Sequence, residues 1–281
     1  MYRIPVRSVC LSVEPVELYS ESHGLANTFS FNSTRIPIHN TSASVIKTAR
    51  CDLVGVVYLL EKNRVVGHDS EERTFLIFYQ LLAAPASEKE QIWEGLRGAT
   101  NESFKYVGPA KTDTIEGMKD ADRFRQTIEA LALVGVEGES LDALMKAVCI
   151  TVQLGNLGFQ PWKGDTDKPT VTTMAELQSL SDLMGISENV LTLAFTERTF
   201  NTARETETHK VPLNAEAAQG ACDALAKESY QKAFLRLVSA INKATCTDES
   251  KNFGTIGLLD IFGFESFPYE PIRAAMHQLC Q

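Results

Sequence analysis

The chain has 281 residues, of which 44% are hydrophobic and 22% charged, and its formal net charge is -9. This balance predicts a globular protein of one large or two small domains and excludes a disordered or fibrous chain. The acidic charge argues against a broad nucleic-acid-binding surface, which needs a basic face, so we expect no nucleic-acid partner. We also expect no membrane span, because no apolar run is long enough to cross a bilayer.

The cysteine pattern favours reduced thiols and gives no sign of a structural metal. None of the six cysteines forms a CxxC pair, and no Cys/His cluster has metal-ligand spacing. Cys149 and Cys222 fall within helical patterns, where a free cysteine behaves as a small apolar residue.

The first part of the chain is weakly patterned until a helix begins near residue 70. Residues 32–44 are rich in Ser, Thr and Asn and predict a loop, while the apolar run 52–60 fits either a buried strand or the start of a helix. A helix is then predicted from a Ser70 cap to a stop at Pro85. Its predicted buried face contains Phe75, Phe78, Leu81 and Leu82.

The middle of the chain is helical. A Thr173–Glu176 pair has the spacing of a capping box, and Gly155 is a predicted helix stop. The predicted helices cover residues 122–135, 140–156, 173–185 and 187–195.

The last third of the chain alternates between polar and apolar segments. Residues 199–214 are polar and threonine-rich, which fits an extended loop or a hairpin. Asn214 then caps a long helix. Residues 255–262 predict a strand covered on both faces, because their Ile and Leu residues do not alternate with polar ones. The predicted buried positions of the long helix are 218, 221, 225, 234, 238 and 241. The pattern therefore predicts a mostly helical α/β chain with one central-sheet strand near its end.

Two short motifs could form a phosphate site. "NSTR" at 32–35 offers the hydroxyl of Ser33 or Thr34 for a magnesium ion, and Asp260 lies at the carboxyl end of the predicted strand, where ligands of α/β sheets bind. Gly263 could bring its N–H close to a phosphate, and Arg35 could pair with Glu265 across the site. On spacing alone, an ordinary turn and ordinary loop composition remain open alternatives.

Longer motifs carry a family resemblance. "LLDIFGFESF" at 258–267 resembles switch II of myosin motor domains, and "YLLEKNRVV" at 58–66 resembles the segment after switch I. "EERTFLIFYQLL", "VQLGNLGF" and "KVPLNAEAAQGACDALAKESYQKAFLRLVSAIN" follow in the family's order, so the resemblance covers roughly residues 53 to 267 and is weaker over 24–52. It implies a partial P-loop NTPase fold, as in the myosin head. The implied segments are 1–35 (switch I region), 36–252 (helical upper actin-binding subdomain), 253–267 (central-sheet strand and switch II) and 268–281 (a divergent stub of the relay helix).

The resemblance also implies ATP and Mg²⁺ as cofactors. Thr34 and Asp260 would hold the metal, Ser33 would lie beside the attacking water, and Gly263 would contact the γ-phosphate. Arg35 and Glu265 would close the site, in which the implied catalytic residues are Ser33, Arg35, Gly263 and Glu265. The implied cofactor-binding residues are Asn32, Ser33, Thr34, Asp260 and Gly263.

The sequence departs from the family at three places. It contains no Gly-Lys dipeptide and therefore no phosphate-binding loop of the form GxxxxGK[ST], so we expect the 281-residue chain alone not to hydrolyse ATP. Pro37 restricts the backbone after switch I, and Pro268 and Pro271 interrupt the expected relay helix.

Three functions follow as hypotheses. The first is a fragment of an actin-based motor with actin and ATP as partners, located at the cytoplasmic cytoskeleton, with light chains bound only by the full-length protein. The second is a non-motor module that binds actin or another partner. The third is a helical scaffold. The resemblance also implies that residues 199–214 lie near the actin-facing edge.

Overall fold

A computed structural model describes residues 8–13, 51–57, 60–69, 72–115, 117–162, 165–201, 208–246 and 255–259. The chain divides into two compact units, of which the first, the sheet unit, is formed by residues 1–59 with 245–281 and the second, the helical unit, by residues 60–244. The predicted subdomain limits, 36 and 252, lie outside the described residues and remain predictions.

The strands are β1 (Ser8–Val13), β2 (Cys51–Gly55), β3 (Thr114–Ile115), β4 (Met118–Lys119), β5 (Phe159–Trp162), β6 (Asp165–Val171), β7 (Glu197–Asn201), β8 (Thr208–Pro212) and β9 (Thr255–Leu259). The α-helices are α1 (Leu76–Ala83), α2 (Ala86–Ile92), α3 (Asp120–Leu133), α4 (Glu139–Leu154), α5 (Met174–Met184), α6 (Glu188–Thr196) and α7 (Ala215–Thr245).

The first unit contains a three-stranded antiparallel sheet in the order β2-β1-β9. Val9 of β1 is aligned with Gly55 on one side and with Leu258 on the other. The sheet confirms that a strand forms near the end of the chain, but among the described strands β9 lies at the edge of the sheet and not at the predicted central position. The open choice at 52–60 is resolved in favour of a strand, β2. The middle strand, β1, was not predicted, although Val9, Leu11 and Val13 alternate with more polar residues in the period of a strand.

The second unit contains a helical core with short antiparallel hairpins. Helix α1 packs against α3, α4 against α5, and α5 against α6. The hairpin of β5 and β6 was not predicted, because each strand contains a proline and prolines usually argue against a strand. Pro161 and Pro169 face each other in this two-stranded ribbon, which has no inner strand to lose hydrogen bonds. The largest fully buried side chains include Phe78, Tyr79, Leu81, Leu96, Phe124, Met145, Leu177, Leu180 and Phe195.

Helix α1 begins at Leu76, so the prediction of a start at Ser70 was wrong. The residues just before the helix are held by tertiary contacts instead. Glu72 accepts a hydrogen bond from Arg64 at 2.6 Å, and the Thr74 hydroxyl donates to the Arg64 carbonyl at 2.6 Å. The predicted end is confirmed, since α1 stops at Ala83 and Pro85 follows. Three predicted apolar positions of this helix are buried, namely Phe78, Leu81 and Leu82.

The predicted capping box of α5 does not form. Thr173 is the N-cap residue but makes no side-chain cap bond, because its hydroxyl accepts the Gly158 N–H at 3.0 Å. The Glu176 carboxylate accepts a hydrogen bond from the Gln153 side-chain amide at 2.5 Å. Both side chains of the motif therefore hold α5 to neighbouring segments rather than satisfying its own first turn.

Helix α7 confirms its predicted cap but not all of its predicted face. The Asn214 side-chain oxygen accepts the Ala217 N–H at 2.8 Å. Leu225, predicted to be buried, is 37% exposed, because the adjacent position 226 faces the core. The buried stripe recurs every four residues, and its first three side chains are small, which permits a close helix approach. It consists of Ala218, Cys222, Ala226 and Tyr230.

Candidate functional site

The loops predicted to carry the phosphate chemistry lie outside the described residues, so their roles remain predictions. What the structure describes is the strand that leads into one of them. Strand β9 ends at Leu259, directly before Asp260, and pairs with β1. The predicted site residues outside the described part are Asn32, Ser33, Thr34, Arg35, Asp260, Gly263 and Glu265.

The segment at the start of the helical unit is organised around Arg64. This residue lies in a short 3-10 helix, Lys62–Val65, and pairs with Glu61 at 2.9 Å and with Glu72 at 2.6 Å. Burial acts to lower the pKa of Arg64, but the hydrogen bonds to the two carboxylates outweigh it, and the net shift is upward. Arg64 therefore fixes the segment between residue 60 and the start of α1.

The same segment is attached to the middle of α7. The Lys62 ammonium donates to the Gln231 side-chain oxygen at 2.9 Å. The rings of Phe75 and Tyr230 stack with centroids 4.4 Å apart, and burial raises the pKa of the Tyr230 hydroxyl. A polar contact and an aromatic contact thus join residues 62–75 to one turn of the long helix.

Helix α7 is held a second time near its N-terminal half. The Tyr106 hydroxyl donates to the Asp223 carboxylate at 2.6 Å, and burial, followed by this hydrogen bond, raises the pKa of Tyr106. The Cys222 thiol donates to the Leu154 carbonyl at 3.3 Å. Cys149 and Cys222 are free and buried, as expected of small apolar core residues, and burial raises the pKa of each thiol to about 12.

A buried ion pair was missed by the sequence analysis. Arg73 donates to the Asp120 carboxylate at 2.6 Å, and both side chains are almost fully buried. The Arg73 guanidinium also lies 3.8 Å from the centre of the Tyr79 ring, a cation–π contact. The available signal was an arginine at the edge of the apolar run that becomes α1, where a charge needs a partner.

The polar segment 199–214 forms the hairpin of β7 and β8, which resolves the choice between a loop and a hairpin. Lys210 and Glu197 lie 3.6 Å apart across the ribbon, and Arg198 is exposed. The Leu213 N–H donates to the Thr196 carbonyl at 2.8 Å and closes the base of the hairpin. The strands of the hairpin thus connect α6 to α7.

These contacts hold segments of the fold in place and do not by themselves indicate a reaction. Within the described ranges, no group of three or more His, Cys, Asp or Glu side chains has an arrangement that could hold a metal ion. Among the helices in the same ranges, none is long and apolar enough to cross a membrane.

Comparison with known proteins identifies the family. The model of the "Myosin head (motor domain)" family matches residues 22–280. The chain is 30% identical over 264 residues to "Myosin-1" of Schizosaccharomyces pombe, covering 93% of the chain and 20% of that protein. It is 35% identical over 229 residues to "Unconventional myosin-Ic" of Danio rerio, covering 79% of the chain and 22% of that protein. It is 33% identical over 252 residues to "Myosin-1" of Arabidopsis thaliana, covering 88% of the chain and 21% of that protein.

The chain therefore spans about a fifth of the length of these curated relatives. The matched range includes both predicted phosphate motifs and the whole helical unit, residues 60–244. By the extent of this match, the chain belongs to the myosin head (motor domain) family.

Proposed function

We propose that this chain forms the part of an ATP-driven, actin-based motor that runs from switch I to switch II. The observation that carries the proposal is the place of the DxxGxE motif within the matched family range. The motif starts at Asp260, directly after the described end of β9, and strand ends are where α/β sheets bind ligands.

In this proposal both loops contribute residues that bind the metal ion or the phosphates. Asp260, through water, and Thr34 would hold Mg²⁺, which would supply positive charge to neutralise the charge that develops on the phosphates. The Gly263 N–H contacts the γ-phosphate, since no Cβ prevents a close approach. Ser33 and Asn32 complete the switch I side of the cofactor site.

Closure of the site is assigned to a salt bridge between the loops. Arg35 is a planar donor that can bind the Glu265 carboxylate through two parallel hydrogen bonds. Such a pair would join switch I to switch II only when both loops have closed, so it would close the site behind the γ-phosphate and separate the attacking water from bulk solvent.

The helical unit would link the nucleotide loops to the filament. The Lys62–Gln231 and Phe75–Tyr230 contacts hold the segment after switch I against α7, and the β7–β8 hairpin ends at the Asn214 cap of that helix. Movement of the segment would therefore displace α7 and the hairpin together. We assign the hairpin to the actin-facing edge.

Actin co-sedimentation of the 281-residue chain tests the filament assignment. We expect weak, salt-sensitive pelleting, because a single contact surface of mostly exposed charges is screened by salt. Arg198→Glu on β7 should reduce pelleting. Arg97→Glu makes the same charge change on an exposed arginine far along the chain, next to a 3-10 turn, and should leave pelleting unchanged. Equal loss in both variants would contradict the assignment to the hairpin, and tight, salt-resistant pelleting would favour a non-motor binding module.

Nucleotide titration tests the catalytic side. The sequence lacks the Gly-Lys of a phosphate-binding loop, so the 281-residue chain alone should show no saturable binding of a fluorescent ATP analogue with Mg²⁺ below millimolar concentrations. Micromolar binding would contradict this expectation. Asp260→Ala would then show whether switch II carries that binding.

A further inference from the structure

A cleft of about 410 Å³ opens in the helical unit beside the end of α1. Its wall contains six side chains with polar atoms, contributed by α1, α2, α3 and the segments between them. They are Tyr79, Lys89, Thr100, Asn101, Asp113 and Asp120.

Lys89 is the unusual member of this wall, because it is a buried ammonium group to which the described part of the chain supplies no anionic partner. The residue is 8% exposed, and its Nζ donates to the carbonyls of Leu82 and Ala99, both at 3.1 Å. An ammonium carries three N–H donors, so these two bonds use two of them. Lys89 forms no ion pair with any residue in the described part of the chain.

The other charges of the wall are already compensated or solvated. Asp120 is paired with Arg73 at 2.6 Å. Asp113 is exposed and accepts a hydrogen bond from the Thr114 hydroxyl at 2.9 Å. The carbonyl end of α1 offsets part of the charge on Lys89, through the Leu82 carbonyl. A full buried charge nevertheless needs a charged partner, because desolvating it alone is unfavourable.

We propose that this cleft binds a carboxylate, which supplies the missing negative charge at Lys89. The Thr100 hydroxyl and the Asn101 amide line the same cleft and offer neutral donors to such a group. The carboxylate belongs either to a small molecule or to an Asp or Glu side chain of a partner protein. The proposal stands apart from the motor assignment, because it involves neither the switch loops nor the hairpin.

The test is the thermal unfolding midpoint of the 281-residue chain in sodium acetate and in sodium chloride at equal ionic strength. Acetate should raise the midpoint saturably above its value in chloride, because a ligand that binds only the folded state stabilises it. Lys89→Met should abolish the difference. That variant also removes the donor from two carbonyls, so a second, milder variant is needed in case it fails to fold.

Asn101→Asp is the milder variant, since it places a negative charge on the cleft wall and should weaken acetate binding about tenfold or more. Asn189→Asp makes the same change on the exposed face of α6 and should bind acetate as the original chain does. Equal midpoints in acetate and chloride, or an equal response of the two Asp variants, would overturn the proposal. If the carboxylate belongs to a partner's side chain, acetyl-glutamate amide should bind more tightly than acetate, whereas weaker binding assigns the site to small carboxylates.

Discussion

The two units of the chain differ in how their secondary structure elements are brought together. The helical unit, residues 60–244, contains a continuous apolar core from Leu60 to Tyr230. In the sheet unit, the described residues form three short strands, 8–13, 51–55 and 255–259, which are far apart in sequence. All residues predicted to handle phosphate belong to segments of the sheet unit, and the contacts that would transmit movement belong to the helical unit.

The two units therefore differ in how far the local sequence alone determines their structure. Core helices are specified largely by local periodicity and by burial, so α3, α4, α5, α6 and α7 could be assigned from their own residues, whereas the short helix α2 was not predicted. A phosphate site is specified by loops at strand ends, whose geometry depends on which strands are neighbours. The helical unit is therefore interpretable from its contacts, while the chemistry rests on family membership. The following substitutions test whether the helical unit is stabilised as its contacts indicate.

The largest expected effect comes from breaking the buried ion pair. Arg73→Leu leaves the Asp120 carboxylate buried without its cation and should destabilise the helical unit by roughly 3–5 kcal/mol. Urea unfolding followed by circular dichroism at 222 nm measures the loss. Replacing both residues by leucine removes the stranded charge, so the double variant should regain much of the stability. A double variant no better than Arg73→Leu would contradict this explanation.

A matched pair of leucines tests the core itself. Leu180 of α5 is 0% exposed, and Leu180→Ala should lower the free energy of unfolding by about 2–5 kcal/mol. Leu133 at the end of α3 is 87% exposed, and the same truncation there should change it by less than about 0.5 kcal/mol. Comparable losses at the two positions, measured by urea unfolding, would show that α5 does not occupy the core as described.

Replacing each of two glycines in helical conformation by alanine should change the free energy of unfolding in opposite directions. A Cβ at Gly155 would lie 2.7 Å from the buried Tyr106 ring, so Gly155→Ala should destabilise by about 1–3 kcal/mol. A Cβ at Gly220 of α7 would meet nothing within 4 Å, so Gly220→Ala should stabilise by roughly 0.5–1 kcal/mol. The shifts in thermal midpoint give both signs, and a neutral Gly155→Ala would mean that Tyr106 does not pack there.

The smallest effect concerns the cap of α7. Asn214→Ala removes the acceptor of the Ala217 N–H and should lower the unfolding free energy by about 1 kcal/mol. Asn214→Asp preserves the acceptor and adds a charge that the helix N-terminus favours, so it should keep or slightly raise stability. Equal destabilisation by alanine and aspartate in urea unfolding would argue that the side-chain bond contributes nothing.

Sequence reasoning succeeded where local signals were not overruled by tertiary contacts. The Asn214 cap, the end of α1 before Pro85 and the strand 255–259 were predictable from their own residues. The start of α1 was not, because Glu72 and Thr74 bind Arg64 rather than forming a first helical turn. The capping box at Thr173 also fails to form because of a tertiary contact, since the Thr173 hydroxyl accepts the Gly158 N–H instead.

The candidate site was predictable in part, and only through the family motifs. Asp260 and Gly263 stand in a motif long enough to be distinctive, and the family match over residues 22–280 includes them. The contacts of Lys62 and Phe75 were not predictable, because their partners Gln231 and Tyr230 lie on α7, far along the chain, and are brought close only by packing. Pairing over such sequence distances leaves no periodic signal within either segment.

The most direct test of this account is hydrogen exchange of residues 60–244 expressed alone, compared with the same residues in the 281-residue chain. If the helical unit is stabilised by its own core, amides of α4, α5 and the first half of α7 should have the same protection in both chains. Urea unfolding of the shorter chain should remain cooperative. Loss of protection across these helices in the shorter chain would contradict the account, because it would show that the unit depends on the sheet unit for its fold.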